Sequence, residues 1–206
     1  MRVRVETLEL TPHPCLPQGE RRWYFASLGK EDNEEVFMET LKAILSRRSI
    51  RRYTDKPVSA ETIRALLEAG MAAPSANNNH PWHFVVVTER AILDAIPKFH
   101  RYSRMLFEAT LAILVCGDTN FEPNPGYMAQ DLSAAVENIL LAAHAQGLGA
   151  VWLGICPRKR RMAGIKQLLH LPENITPFAL ISMGYPAEQK PPSGRYAESR
   201  VHHNGW

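Results

Sequence analysis

The chain of 206 residues is predicted to fold as an α/β or α+β domain, with one central sheet covered by helices on both sides. Four short hydrophobic stretches typical of buried strands each follow a stretch with apolar residues at helical spacing. Hydrophobic residues make up 45% of the chain and charged residues 22%, which is ordinary for a soluble globular protein with its own core.

The first predicted helix starts near Glu34, where Phe37, Leu41, Ile44 and Leu45 recur at helical spacing. Ahead of it, residues 1–33 show no sustained period and contain three prolines, so we expect an irregular arm before a domain of residues 34–206. The arm has no apolar segment of the kind found in signal peptides.

The remaining elements are predicted from caps, breakers and apolar patterns. In chain order they are a helix capped by Ser59, a strand at 83–88, a helix at about 89–96, a strand at 111–117, a helix at about 128–146 ending at Gly147, a strand at 150–155, a basic helix at 158–169 and a strand at 177–185. Loops rich in Pro, Asn and Gly separate them.

The segment SRRSIRRY, residues 46–53, holds four arginines although the formal net charge of the chain is only +3. On a helix, Arg47 and Arg51 would share one face and Arg48 and Arg52 another, and such pairs repel unless an anion lies between them. The alternative is a solvated helix end, where cations interact favourably with the helix dipole.

A second basic run, RKRR at 158–161, is predicted to begin a helix, where cations are unfavourable. No hydroxyl, glycine or amide residues accompany it. We interpret it as a solvated face, with a docking patch for an acidic partner as the alternative.

Two further segments are candidate binding sites. The loop PSANNNHPW, residues 74–82, offers many side-chain donors and acceptors just before a strand, although its asparagines could instead satisfy their own backbone. Gly154 ends a buried strand, where a missing side chain would let a flat ligand approach the backbone.

Other chemistries lack support in the sequence. The histidine pairs at 80 and 83 and at 202 and 203 are not spaced like metal ligands, so we predict no metal site. The chain has neither a catalytic-triad motif nor the glycine fingerprint of nicotinamide-binding Rossmann domains. Its three cysteines are widely spaced and no apolar stretch could cross a membrane, which favours the cytoplasm.

Taken together and in order, four segments resemble the nitroreductase family of FMN-dependent oxidoreductases. They are RRSIRRY, AAPSANNNHPWHFVVV, AAVENILLAAHAQGLGAVWLG and GYPAEQKPPSGRY, and the resemblance covers about residues 38–206. It implies an α+β, three-layer fold with a central mixed sheet flanked by helices. It also implies an intertwined homodimer with FMN at the subunit interface.

The resemblance implies roles for individual residues. Arg47, Arg48 and Ser49 match positions that hold the FMN phosphate. Arg51 matches a cation near the flavin N1–O2 edge, where a positive charge stabilises the reduced ring. Arg52 is expected to face solvent.

The flavin ring itself is expected to be lined by two other segments. Pro74, Ser75 and Asn78 match the lining loop, generally contributed across the dimer. Leu153 and Gly154 match the strand end that approaches the flavin near N5.

The remaining expectations concern two cations of the C-terminal segment and one position at which this sequence differs from the family pattern. Arg195 matches a late cation near the phosphate, with Lys190 as a second. His80 stands where the family usually has Gln, and because histidine changes charge near neutral pH, activity could vary with pH.

The function implied is ping-pong transfer of a hydride from NADH or NADPH through FMN to an electron-poor small molecule such as a nitroaromatic, quinone or enone. Residues 97–127 are the expected lid over the acceptor. Alternatives are other flavin reactions of the same fold (reductive dehalogenation, heterocycle oxidation or flavin fragmentation) and a non-catalytic binder of phosphorylated ligands or nucleic acid. We expect neither nucleic acid nor a membrane as a partner.

Overall fold

The computed structural model of the chain describes residues 40–206. Its elements are α1 (Thr40–Ser46), α2 (Ala60–Met71), β1 (Trp82–Val87), α3 (Arg90–Ala95), β2 (Leu111–Asp118), α4 (Pro125–Ala145), β3 (Gly149–Gly154), α5 (Lys159–Leu169) and β4 (Ile175–Gly184), with four short 3-10 turns. The predicted arm of residues 1–33 lies outside the described residues and stays a prediction.

The four strands form one sheet in the order β1-β2-β4-β3, and each neighbouring pair is antiparallel. The mixed pairing that we expected is limited, within residues 40–206, to one isolated parallel bridge between Ser49 and Ala150. All eight residues of β2 are buried, which explains its unbroken apolar sequence. Such a strand must be covered on both faces.

Helices cover the two faces of the sheet, so the predicted α+β class with three layers is confirmed. Alternate residues of β2 point to opposite faces. Ile113 belongs to one buried cluster with Leu132 and Ile139 of α4, which also includes Leu66 of α2. The other face carries a second cluster, containing Leu93 of α3, Ile96, Leu114, Ile165 of α5 and Leu180.

From Ser59 onward the element boundaries agree with the predictions to within about three residues. The predicted start of the first helix near Glu34 lies outside the described residues. Ser59 caps α2, since its hydroxyl accepts a hydrogen bond from the Thr62 backbone N–H at 3.2 Å. Helix α4 begins earlier than expected because the Asn124 side chain caps it, accepting from the Gly126 backbone N–H at 2.8 Å. Among the described helices, none combines the length and the apolar character needed to cross a membrane.

Candidate functional site

The arginine segment is extended, not helical. Helix α1 ends at Ser46, and the Ile50 N–H donates to the Ala150 carbonyl of β3 at 3.0 Å. Ile50 and Tyr53 are buried, and a Cβ on Gly149 would lie only 2.5 Å from Ile50 Cγ2. Burial of these two side chains holds the chain along β3. The helical pairing predicted for the arginines is therefore wrong.

Arg47 lies at the base of this segment, partly buried. Its Nε forms an ion pair with Glu137 Oε1 on α4 at 3.2 Å, but the geometry is not that of a hydrogen bond. This buried N–H therefore has no hydrogen-bond acceptor among the described residues. His144 is close by, with Nε2 2.8 Å from the Ser46 hydroxyl. Burial, with the charges of Arg47 and Arg48, lowers the pKa of His144. A buried donor without an acceptor favours an anionic ligand here.

The C-terminal segment runs beside the arginine segment and is joined to it by side-chain contacts. Lys190 Nζ donates to the Ser49 carbonyl at 2.7 Å, and Arg48 Nε donates to the Pro191 carbonyl at 2.7 Å. Lys190 and Arg48, two residues for which the resemblance implies a role, therefore both join the C-terminal segment to the arginine segment. The Ser49 hydroxyl has no partner among residues 40–206.

Glu188 is a residue of the site that the sequence reasoning missed. Its Oε1 accepts from the Arg51 backbone N–H at 2.5 Å and lies 3.0 Å from Lys190 Nζ. The Arg51 N–H, more than the Lys190 charge, holds the pKa of this carboxyl below its usual range. The sequence could have indicated Glu188, because an acidic residue two positions before Lys190 can form an ion pair with it.

The next two arginines have different surroundings. Arg51 is exposed, and its guanidinium has one weak contact, 3.5 Å from Nη1 to the Ser49 carbonyl. Arg52 faces solvent, as predicted, with Nε 2.9 Å from Glu108 Oε2. Arg51 therefore keeps its charge available for a ligand, whereas the charge of Arg52 is partly neutralised.

The loop between α2 and β1 is held in an unusual backbone conformation. Asn77, Asn78 and His80 all have positive φ, at 52°, 58° and 47°. The Ser75 hydroxyl accepts from the His80 N–H at 3.0 Å, and the buried Asp131 Oδ1 accepts from the Ala76 N–H at 2.9 Å. These polar contacts fix the loop while its side chains stay accessible.

The predicted loop residues lie at the surface of this loop. Pro74 and Asn78 are exposed and Ser75 is half-buried. His80 Nε2 lies 2.8 Å from Asn78 Oδ1, and its ring centroid lies 5.2 Å from that of Trp82. His80 therefore orients the Asn78 amide directly.

The end of β3 is open on one side. Leu153 is buried, whereas a Cβ added to Gly154 would meet nothing within 4 Å. The Gly154 carbonyl accepts from Arg161 Nη1 at 2.6 Å, and His100 Nε2 lies 3.2 Å from it. The strand end thus has open space at the Cβ position of Gly154 and a carbonyl that is held by Arg161.

The structure brings some of the predicted residues together and leaves others apart. Five of them form one group, which we call the cation cluster: Arg47, Arg48, Ser49, Arg51 and Lys190. Arg195 is exposed and has no hydrogen bond or ion pair within the described chain. No hydrogen bond or ion pair among residues 40–206 joins the 74–80 loop to the cation cluster.

These features define an α+β protein with a cluster of cations beside the first residues of β3, whose other end is open at Gly154. The cluster is suited to a small anionic ligand. The chain matches the Nitroreductase family model over residues 44–185 and belongs to that family.

Relatives and solved structures agree with this assignment. A protein of Methanothermobacter thermautotrophicus with the provisional name NADH dehydrogenase/NAD(P)H nitroreductase is 46% identical over 175 residues, 85% of this chain and 92% of that one. A crystal structure from Parabacteroides distasonis with the same provisional name is 44% identical, with a TM-score of 0.79, and covers 82% of this chain and 99% of its own. A provisionally named nitroreductase of Desulfovibrio desulfuricans, solved in complex with FMN, is 37% identical with a TM-score of 0.71, covering 82% and 98% of the two chains.

Proposed function

We propose that this protein is an FMN-dependent NAD(P)H oxidoreductase that reduces an electron-poor small molecule, such as a nitroaromatic, quinone or enone, by a ping-pong mechanism. Bound FMN would supply the chemistry, taking a hydride from NADH or NADPH and passing it to the acceptor. The observation that carries the proposal is the cation cluster, with its buried Arg47 N–H lacking an acceptor. The FMN complex of the Desulfovibrio relative supports it.

The cation cluster fits the FMN phosphate. A phosphate dianion would supply the acceptor that Arg47 lacks, and it would reduce the repulsion between Arg47 and Arg48. The Ser49 hydroxyl would donate a further hydrogen bond. Lys190, held on the Ser49 carbonyl, adds a positive charge close to the same point.

From the phosphate beside the start of β3, FMN would extend along this strand, so that its ring lies at the open end. The open space beside Gly154 would admit the flat ring. Arg51 would place its charge near the N1–O2 edge, and Glu188 fixes the Arg51 backbone for that purpose. Pro74, Ser75 and Asn78 would line the ring from a second subunit, which explains why they make no polar contact with the cation cluster of their own chain.

A homodimer is part of the proposal. Helix α1 leaves Leu41, Ile44 and Leu45 exposed, at 71%, 48% and 70%, and Met71 at the end of α2 is 54% exposed. Burying these side chains against a second copy would gain apolar contact.

The acceptor would bind beneath residues 97–127. Within that stretch Tyr102, Phe107, Phe121 and Tyr127 are exposed aromatic residues. Aromatic faces suit flat, electron-poor compounds, since stacking needs no charged partner. We therefore place the acceptor preference in this segment.

The proposed location is the cytoplasm. Cys116 and Cys156 are free thiols, and burial raises the pKa of Cys116 to about 12. Free thiols fit a reducing compartment.

The test is anaerobic titration of the purified protein with each nicotinamide, followed by a panel of acceptors. We expect yellow protein that bleaches on reduction and recovers its absorbance with at least one acceptor. Colourless protein that takes up no FMN, yet binds nucleic acid in a salt-dependent way, would contradict the proposal. Replacing Gly154 by Val should lower FMN affinity with little change in melting temperature, since the added carbons enter open space.

A further inference from the structure

A second group of cations lies around a cavity that the proposed function does not use. The cavity has a volume of about 250 Å³ and is lined by Pro97, Lys98, Phe99, Arg101, Arg158, Arg160 and Arg161. Five of these seven side chains are cationic and none is acidic. No carboxylate among the described residues lies within ion-pair distance of any of the five.

The positions of these cations are unfavourable without a ligand. Arg158 is the N-cap of α5, and no acidic residue lies in the first turn of that helix. Cations at this end oppose the helix dipole. Arg101 and Arg161 are each attracted to the ring of Tyr102, whose centroid lies 4.8 and 5.6 Å from their Cζ atoms, but two guanidinium groups at one ring repel each other. A bound anion would offset both repulsions.

The space next to this cavity has a different character. A wider cleft of about 710 Å³ is lined by Ala95, Lys98, Phe99, Arg160, Ala163, Gly164, Gln167, Leu168 and His170. It shares Lys98, Phe99 and Arg160 with the cationic cavity, so the two are adjacent. Its volume falls in the range of small-molecule sites, and most of its lining is uncharged. Together the two spaces suit a phosphorylated molecule with a larger, neutral part.

The cationic cavity is also connected to the proposed flavin site. Arg161 lines the cavity, and its Nη1 donates to the Gly154 carbonyl at the open end of β3 at 2.6 Å. One side chain thus separates the cavity from the backbone beside which the flavin ring would lie. A molecule bound beside the flavin would pass Arg161 to enter the cavity.

We propose that the cavity binds the 2′-phosphate of NADPH, with the adenosine in the neighbouring cleft, so that this protein prefers NADPH to NADH. The inference rests on the proposed function, because it requires NADPH to reduce a flavin at Gly154. A dianionic phosphate monoester fits the planar donors of Arg158 and Arg160. NADH has a neutral hydroxyl at the same position.

The test compares Arg158→Ala/Arg160→Ala with Lys159→Ala/Arg64→Ala, which loses the same charge outside the cavity lining. In the first variant KM for NADPH should rise at least ~10-fold, as expected for lost charge-assisted hydrogen bonds, while KM for NADH stays within about twofold. The control variant should resemble the native protein with both nicotinamides. An equal change with NADPH and NADH, or the same loss in the control, would overturn the proposal.

Binding of a probe separates this inference from the proposed function. Calorimetry with adenosine 2′,5′-bisphosphate and with 5′-AMP needs no turnover. The native protein should bind the bisphosphate at least ~10-fold more tightly than 5′-AMP, and Arg158→Ala/Arg160→Ala should lose that difference. Equal affinity for the two nucleotides in the native protein contradicts the inference even if the protein is an active flavoenzyme. A preserved difference in a protein without oxidoreductase activity would instead contradict the proposed function.

Discussion

Two arginine-rich runs look alike in the sequence but differ in their surroundings. In the run at 47–52, Arg47 is paired with Glu137 and Arg52 with Glu108. Arg48 donates to backbone carbonyls, and Glu188 fixes the backbone of Arg51. In the run at 158–161, no acidic residue of the described chain pairs with a cation, and Arg158 and Arg160 line a cavity.

Charge alone therefore does not identify an anion site. In the first run, the buried side chains of Ile50 and Tyr53 hold the backbone in place and so determine the positions of the neighbouring arginines. The second run lies at the start of α5, where Arg158 is the N-cap, and Arg158 and Arg160 line a cavity. These differences support the proposals that the first run holds the phosphate of FMN and the second the 2′-phosphate of NADPH.

The largest expected effect separates the two runs directly. Arg47→Ala/Arg48→Ala should weaken FMN binding about 100-fold or more, since two charge-assisted hydrogen bonds are lost. Arg158→Ala/Arg160→Ala should change FMN affinity less than about twofold. Fluorescence titration of apoprotein with FMN measures both, and equal losses would remove the distinction.

Within the first run, Arg51 and Arg52 form a matched pair. Arg51→Ala should lower the flavin reduction potential on the order of 30 mV, which corresponds to about 1.4 kcal/mol for a two-electron couple. The reason is loss of a cation near the edge that becomes negative on reduction. Arg52→Ala should leave the potential unchanged, because its charge faces solvent beside Glu108. Redox titration with a reference dye measures the potential of each variant. An equal shift in the two variants would contradict a specific role of Arg51 at the flavin ring.

A smaller effect tests the contact that holds Arg51 in place. The pKa of Glu188 is lowered in the folded protein, so its contribution to stability is present above its ordinary pKa and is lost as pH falls through the lowered value. Glu188→Gln should melt a few degrees lower than the native protein at pH 7, and the difference should shrink as pH falls from about 5 to 3. Melting curves across that range measure it. A constant difference would show that the Glu188 charge has no part in the contact.

The smallest effect lies outside both arginine runs. His80 orients Asn78, so a change of its charge would disturb the loop proposed to line the flavin. Between about pH 5.5 and 8, the pH–rate profile of His80→Gln should be flatter than that of the native protein. Identical profiles would show that this histidine does not influence the reaction through its charge.

Much of the fold followed from local patterns. The caps at Ser59 and Gly147 and the apolar runs of the strands predicted the element boundaries well, because each signal acts over a few residues. The conformation of residues 47–52 was not predictable in this way. It depends on Ile50 packing against Gly149 and on Glu188, both distant in sequence.

The site was predicted in part. The resemblance identified Arg48, Ser49 and Lys190, which the structure places in contact, but no residue pattern could show that Lys190 binds the Ser49 carbonyl. The cavity at Arg158 was not predicted. The sequence of a basic run does not show that no acidic residue lies close to it in space, and it does not show that a cavity lies beside it. Both depend on how residues 97–101 lie against the start of α5.

The decisive measurement for the cation cluster is the dependence of flavin binding on the phosphate group. Titration of native apoprotein and of Arg47→Ala/Arg48→Ala with FMN and with riboflavin would separate phosphate binding from ring binding. The native protein should bind FMN about 100-fold or more tightly than riboflavin, and the variant should lose that preference while its riboflavin affinity stays the same. Equal affinity of the native protein for the two flavins would contradict the assignment of the cation cluster to the phosphate.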